Sequence, residues 1–261
     1  MAPGTILQHQ YLKHRLRQKK YKTFCEIGSG NGFLSAVLLK MGLQGTGYDL
    51  NQSACLNNEK LNKEYIANRS YKVVNGDFFN EEKDQKNKYD LIISCMVIEH
   101  LPQEAVDRYF DSCKKHIASN GCIVVFVPAA MKFWGIEDEI AGHFKRYEYT
   151  DFKQMAIRYG LLIKDLSGLT FPLSNMLLPF TNYLVKKHEG YKKDLSMQEQ
   201  TILSGNRDIK FKTTFPWYTK LILNEVVLYP FYLLQRIFKN SNNAMVLYCE
   251  LSLATDELHK I

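Results

Sequence analysis

The chain has no pair of cysteines at C-x-x-C spacing. Its six cysteines (Cys25, Cys55, Cys95, Cys113, Cys122 and Cys249) lie far apart, so neither a zinc site nor a disulfide framework has the spacing it needs. Several stand in apolar runs, where cysteine acts as a small buried hydrophobe. Glycine and proline are sparse, together 22 of 261 residues, which excludes a collagen-like or low-complexity chain. No continuous apolar run opens the sequence, so a signal peptide is not expected. No uncharged apolar stretch reaches the length of a spanning helix; the nearest, 221–238, is broken by Asn224, Glu225, Gln235 and Arg236. No internal repeat is found. These absences lead to the expectation of a reduced, soluble, cytoplasmic protein.

What is present is ordinary globular composition, 46% hydrophobic and 23% charged, enough for one good-sized domain or a domain with a large insertion. The formal net charge of +7 first suggests an anionic partner, but it is unevenly placed. Residues 1–22 carry Lys13, Arg15, Arg17, Lys19, Lys20 and Lys22 with no acid, and 169–244 carry ten bases against five acids. The remainder holds 18 bases and 22 acids, a net −4. The body is mildly acidic, and the basic excess belongs to two appendages.

Residues 5–20 read as a basic helix with an apolar stripe of Ile6, Leu7, Tyr11, Leu12 and Leu16. From 23 onward short apolar runs alternate with helical patterns. Strands are predicted at Thr23–Ile27, Gly45–Tyr48, Tyr71–Val74, Leu91–Met96 and Cys122–Val127, with helices over Gly32–Met41, about 52–67 and about 103–118. A helix over Thr150–Tyr159 and strands at Leu161–Leu166 and Met245–Leu253 complete the pattern. Strands apolar on both faces, alternating with helices, predict an α/β fold with a mostly parallel sheet covered on both sides. Residues 169–244 break the rhythm, because Pro172, Pro179, Pro216 and Pro230 interrupt apolar stretches and limit helix continuity. They read as an insertion before the last strand.

The most informative motif is Glu26-Ile27-Gly28-Ser29-Gly30-Asn31-Gly32, just after the first strand and opening a helix. Glycines let the backbone turn sharply and lie close to a ligand. The dinucleotide fingerprint is G-x-G-x-x-G, but here the third glycine comes one position early and Phe33 stands in its place. Glu26 would sit poorly beside a pyrophosphate and well beside a cationic amino-acid group.

These residues resemble the class I S-adenosylmethionine-dependent methyltransferases over 23–168 and again over the final strand. The resemblance implies a Rossmann-like seven-stranded sheet with an antiparallel last strand, and S-adenosyl-L-methionine as cofactor. It implies that Glu26, Gly28, Ser29, Gly30 and Gly32 meet the amino-acid end of the cofactor. Asp49, with Leu50 beside it, takes the ribose hydroxyls, and Asp77 approaches the adenine with Phe78 flanking the ring. By position after the fourth strand, Met96 or Val97 lines the cofactor.

Glu99 and His100 resemble the Glu-His of ubiquinone-biosynthesis O-methyltransferases, in which a further Glu three residues earlier assists a metal. That earlier position is Met96 here, so no metal is expected. The pair stands near the mouth of the site as candidate catalytic residues, or else makes loop-fixing hydrogen bonds. Gly142-His143-Phe144-Lys145-Arg146-Tyr147 resembles the G-H-x-R-R-Y element after the fifth strand of small-molecule members. Neutral His143 is suited to take a proton from the acceptor. Arg146 holds an acceptor anion or forms a buried ion pair with Glu137, Asp138 or Glu139. Tyr147 shapes the acceptor cavity or packs.

The expected organisation is a basic helix at 1–22 serving as a cap, a methyltransferase core at 23–168 and 245–261, and an acceptor-binding lid at 169–244. The lid mixes Phe171, Leu177, Leu178, Phe180, Tyr183, Trp217, Tyr218, Phe231 and Tyr232 with Lys186, Lys187, Lys192, Lys193, Arg207, Lys210 and Lys212. An apolar inner and basic outer face would suit an amphiphilic or anionic acceptor, or contact with an anionic membrane. The functional expectation is methyl transfer to a small organic acceptor, through oxygen, on a lipid-like or sugar-containing metabolite. RNA methylation would use the same basic surfaces, but no RNA-binding module is recognised, so nucleic acid is disfavoured as a partner. A catalytically silent binding protein is a different class, against which the complete cofactor motif argues.

Overall fold

The computed structural model describes residues 1–79, 88–195, 199–200 and 209–254. Its seven strands are β1 (Thr23–Ile27), β2 (Gln44–Asp49), β3 (Tyr71–Asn75), β4 (Tyr89–Cys95), β5 (Ile117–Pro128), β6 (Leu161–Leu169) and β7 (Val246–Leu253). They form one sheet in the order β3-β2-β1-β4-β5-β7-β6. β1 pairs in parallel with β2 and β4, β2 with β3, and β4 with β5; the last strand is antiparallel. The helices are α1 (Pro3–Leu16), α2 (Phe33–Lys40), α3 (Gln52–Leu61), α4 (Lys63–Ala67), α5 (Gln103–His116), α6 (Ile136–Ala141), α7 (Tyr149–Tyr159), α8 (Leu173–Glu189) and α9 (Tyr229–Ile237). This is a Rossmann-like fold.

The burial pattern explains the arrangement. Consecutive residues of a strand point to opposite faces, and Leu91, Ile92 and Ile93 of β4 are all fully buried, so both faces of the sheet centre are covered. β1 lies at the point where the strand order reverses, which puts the loops after β1 and β4 side by side at the carboxyl edge. In open α/β sheets that edge is where ligands bind. Asp90 anchors the start of the pair: one carboxylate oxygen accepts from the backbone of Lys22 at 2.8 Å and Thr23 at 3.0 Å.

The chain divides into two compact units. One comprises residues 20–127, 148–166 and 248–261; the other comprises 1–19, 128–147 and 167–247. The segment 128–147, which the sequence pattern leaves with the core, is therefore grouped with the terminal helix and the late insertion.

Several local expectations are corrected. The single helix expected over 52–67 is two, because Asn62 takes a non-helical conformation and spends its side chain elsewhere: its amide donates to Gly32 O at 3.1 Å and Asn58 Oδ1 at 2.8 Å. Pro179 does not stop a helix but lies inside α8. A proline removes one ladder bond, and the packing of Leu184 and Val185 with Ile140 and Ile209 holds the segment helical. Pro230, by contrast, stands at the start of α9, where its missing N–H has no partner to lose. The late insertion does not turn all its apolar side chains inward: Trp217, Tyr218, Leu221 and Ile222 are exposed. Among its cations, Lys192 is buried against Glu189, and Arg207 lies outside the described residues.

Candidate functional site

The glycine loop is shaped by left-handed backbone at Gly28, Gly30 and Gly32, with φ of 73°, 48° and 80°. Gly28 and Ser29 both donate to Tyr48 O at 2.9 Å, which ties the turn to the end of β2. At Gly32 a Cβ would fall 2.2 Å from Asn58 Oδ1, so only glycine lets α2 start this close to α3. At Gly30 a Cβ would meet nothing within 4 Å: the loop's turn faces open space.

Asp49 follows β2 and faces this loop. One carboxylate oxygen accepts from Gly30 N at 2.7 Å and the other from Asn51 N at 2.8 Å. Each oxygen has a second lone pair for a ligand hydroxyl. Leu50 beside it is well exposed.

Glu26 lies at the end of a buried polar chain. Ser35 Oγ donates to Glu26, Ser35 and Tyr71 hydroxyls are 2.6 Å apart, and Asn58 Nδ2 donates to Tyr71 at 3.0 Å and Ser29 Oγ at 3.1 Å. The chain runs from Asn58 through Tyr71 and Ser35 to Glu26. Burial raises the Glu26 carboxyl to about 8; the Ser35 bond opposes that rise, and the nearby charge of Asp49 adds to it. A cationic group brought to Glu26 would favour the ionised form. Two acids beside an open, glycine-built turn fit a ligand that carries an ammonium, a sulfonium and a ribose.

Asp77 is half-buried and accepts from Phe79 N at 3.0 Å. The expectation for Phe78 is corrected. Its ring is buried, set edge-on to Tyr48 at 5.3 Å and His116 at 5.2 Å, so the side chain belongs to the core and leaves no face for an adenine. Met96 follows β4 with φ of 57°, a conformation uncommon outside glycine, and its N–H is fixed to Phe126 O at 2.9 Å. Glu99, fully buried, and His100, half-buried, form the short 3₁₀ turn Ile98–His100 just beyond.

The second unit contains a buried cluster. Asp138, on α6, accepts from Arg146 Nε at 2.9 and 3.0 Å, from His143 Nδ1 at 2.9 Å and from Gly135 N at 2.9 Å. Arg146 also donates to Ala129 O at 3.1 Å. Burial alone would raise the Asp138 carboxyl, but the bonds from His143 and Arg146 outweigh it and hold the group below its ordinary value. A carboxylate kept ionised next to Nδ1 selects the tautomer in which Nδ1 carries the hydrogen and Nε2 the lone pair. Arg146 is thus committed to the ion pair, which decides between the two roles open to it from sequence. Tyr147 is buried as well, under Lys145 Nζ at 4.6 Å from the ring centre.

Sequence reasoning missed Ser35, Asn58, Asn62 and Tyr71, and named Asp138 only as a partner for Arg146. Asn58 lies on the buried face of α3 with apolar Ala54 and Cys55, and Asn62 caps that helix four residues on; a polar pair at inward spacing was the available signal.

The model of the methyltransferase domain family matches residues 6–164, more than half of the chain. No curated protein matches it in sequence. Among solved structures, a protein of Galdieria sulphuraria assigned as a sarcosine dimethylglycine methyltransferase superposes with a TM-score of 0.56. It is 14% identical, over 94% of this chain and 84% of that one. Magnesium protoporphyrin IX methyltransferase of Synechocystis PCC 6803, solved with bound S-adenosylhomocysteine, gives 0.53 at 16% identity, over 64% of this chain and 77% of that one. The pyocyanin biosynthetic protein PhzM gives 0.50 at 16% identity over 63% of this chain, a match spanning about half, 51%, of that protein. These likenesses are of fold, and with the family match they agree with the glycine loop, Asp49 and the strand order. The chain belongs to the methyltransferase domain family and is a class I S-adenosylmethionine-dependent methyltransferase.

Proposed function

We propose that the protein transfers a methyl group to a hydroxyl oxygen of a small, amphiphilic organic acceptor, lipid-like or sugar-containing, at a membrane surface it contacts peripherally. The observation that carries this reading is the contact between His143 Nδ1 and buried Asp138 at 2.9 Å. It fixes the tautomer that leaves a lone pair on Nε2 to take a proton, which a hydroxyl acceptor requires and an already ionised nucleophile does not.

S-adenosylmethionine, when bound, supplies a methyl group made electrophilic by its sulfonium. The glycine loop with Ser29 and Glu26 would hold the amino-acid end, Asp49 the ribose, and Asp77 the adenine, with Met96 and Leu50 beside them. As the new O–CH₃ bond forms and the S–CH₃ bond breaks, its electron pair returning to sulfur to leave a neutral thioether, the hydroxyl proton would pass to His143 Nε2, and the resulting imidazolium would be stabilised by the Asp138 carboxylate. Glu99 and His100 complete the polar side chains assigned to the acceptor. Arg146 acts on the reaction through Asp138, as a positioning residue. Aligning the reacting atoms and excluding water supply most of the remaining rate.

The test is to incubate the protein and methyl-labelled cofactor with fractionated cell extract and identify the labelled product. Label in a small organic-soluble metabolite bearing a new methyl ether or ester is expected. Label in RNA would overturn the acceptor assignment.

A further inference from the structure

The stretch 217–238 places many of its apolar side chains on the surface, with Leu228 and Tyr232 buried. Trp217 is 79% exposed, Leu221 77%, Ile222 65% and Val226 83%. α9 continues the pattern in an inverted way. Its buried face carries Tyr232 and the polar Gln235, whose amide donates to Leu7 O at 3.0 Å and whose carbonyl accepts from Thr170 N at 2.9 Å. Tyr229, Leu233 and Ile237, spaced four apart and therefore on one stripe, face outward. A surface helix of a water-soluble unit normally shows the opposite arrangement. So many exposed apolar side chains along one short stretch mark a contact face.

Charge indicates what the face meets. Between 209 and 240 stand Lys210, Lys212, Lys220, Arg236 and Lys239 against a single acid, Glu225. Glu225 is neutralised by Lys13 of α1. His14 lies edge-on to Tyr232 at 6.4 Å; burial and then the charges of Arg236, Arg15 and Arg17 lower its pKa. The basic end of α1 therefore borders α9 within this unit. A second copy seated on the same face by two-fold symmetry would bring cation against cation. An anionic headgroup layer over an apolar interior is complementary to both properties. No helix among the described residues is long and apolar enough to cross a membrane, and α9 has nine residues, so contact would be from one side.

We infer that residues 217–238 form a membrane-docking face, which lays Trp217, Leu221, Ile222, Val226 and the outer stripe of α9 into a bilayer surface carrying anionic phospholipid. Docking deepens the reading of an amphiphilic acceptor, and rests on it for its purpose alone: the face would bring the enzyme to the layer in which such an acceptor is dissolved. The physical contact itself needs neither cofactor nor transfer.

The experiment is co-sedimentation of the full chain with phosphatidylcholine vesicles, alone or mixed with phosphatidylglycerol, across a salt series and without cofactor. Binding to the mixed vesicles at low salt, weakening as salt rises, is expected. The Lys220→Gln/Arg236→Gln double variant should bind roughly thirty-fold less tightly. Leu221→Glu/Val226→Glu should also lose binding, with an unchanged thermal midpoint because both side chains are already in water. Failure of the wild type to sediment with mixed vesicles at low salt overturns the proposal. So does concentration-dependent dimerisation that the Leu221→Glu/Val226→Glu variant abolishes, since the face would then belong to a second copy. Calorimetry with S-adenosylmethionine alone is run alongside; intact cofactor binding with no vesicle binding removes the docking face and leaves the enzyme assignment standing.

Discussion

Asp138 and His143, five residues apart, meet at 2.9 Å through a carboxylate that Arg146 and Gly135 also hold. The α6 turn and the left-handed Gly142 that follows it bring the chain back over itself, and His143 N donates to Asp138 O at 3.0 Å. The imidazole is thereby fixed from its backbone and from Nδ1 together.

If His143 is the base, His143→Ala should lower kcat by about 10²- to 10⁴-fold while leaving cofactor affinity unchanged. Asp138→Asn alone would strand a buried guanidinium, at a cost of about 3–5 kcal/mol, and would report stability as much as chemistry. The double variant Asp138→Asn/Arg146→Gln removes both charges. It should fold, retain cofactor binding, and show a reduced kcat with a displaced acid limb in its pH–rate profile. An unchanged profile would relegate the cluster to a structural role.

Glu26 couples cofactor binding to protons. With its carboxyl raised to about 8, it is protonated at neutral pH in the unliganded protein, and an incoming ammonium would expel that proton. Calorimetry near neutral pH should give binding enthalpies that vary with the ionisation enthalpy of the buffer. The Glu26→Gln variant should bind more weakly and lose that variation. A buffer-independent enthalpy in the wild type would remove Glu26 as the ammonium partner.

The same shift has a consequence for stability. The folded state holds the Glu26 proton up to about 8 and the unfolded state releases it near 4.5, so folded protein binds the extra proton between those values. Its contribution is fully present below 4.5 and is lost as pH rises toward 8. The unliganded Glu26→Gln variant, which has no such proton, should gain in thermal midpoint over the wild type through this window. Asp138 behaves oppositely: its depressed value contributes stability at neutral pH that is lost as pH falls through the folded value.

Gly30 and Gly32 should separate binding from folding. Gly32→Ala drives a methyl into Asn58 and should unfold the loop, seen as a large drop in thermal midpoint. Gly30→Ala meets no protein atom and costs about 1 kcal/mol for its left-handed backbone, or about 2–4 °C in midpoint. If the space over Gly30 belongs to the cofactor, its affinity should still fall roughly tenfold or more, because the methyl occupies ligand volume. Full affinity in a folded Gly30→Ala protein would place the cofactor elsewhere.

Gln235 is the joint between α9 and two other segments of its unit, bonding Leu7 O and Thr170 N. Gln235→Leu keeps the volume but orphans a buried donor and a buried acceptor, at about 1–3 kcal/mol each. A lowered denaturation midpoint is expected, with cofactor binding preserved.

The core strands were legible because two neighbouring signals agree there. Apolar runs such as Leu91–Ile93 and Ile123–Val127 state that both faces are covered, and the glycines after β1 mark the turn of a parallel sheet. Phe78 was misread because an aromatic beside a candidate acid looks the same in sequence whether it faces a ligand or the core. Pro179 was misread because packing outweighed a local preference, and Asn62 because a helix break depends on a partner thirty residues away, Gly32.

By itself, then, the sequence determined the core strands, the places of Glu26, Asp49 and Asp77 at their ends and the uneven placing of charge, since these follow from local pattern and periodicity. Only tertiary structure decided that Arg146 pairs with Asp138, that Glu26 ends a hydrogen-bonded chain through Ser35 and Tyr71, and that Trp217, Leu221, Ile222 and Val226 face outward. Burial and partner choice depend on residues distant in the chain, and periodicity carries no record of them.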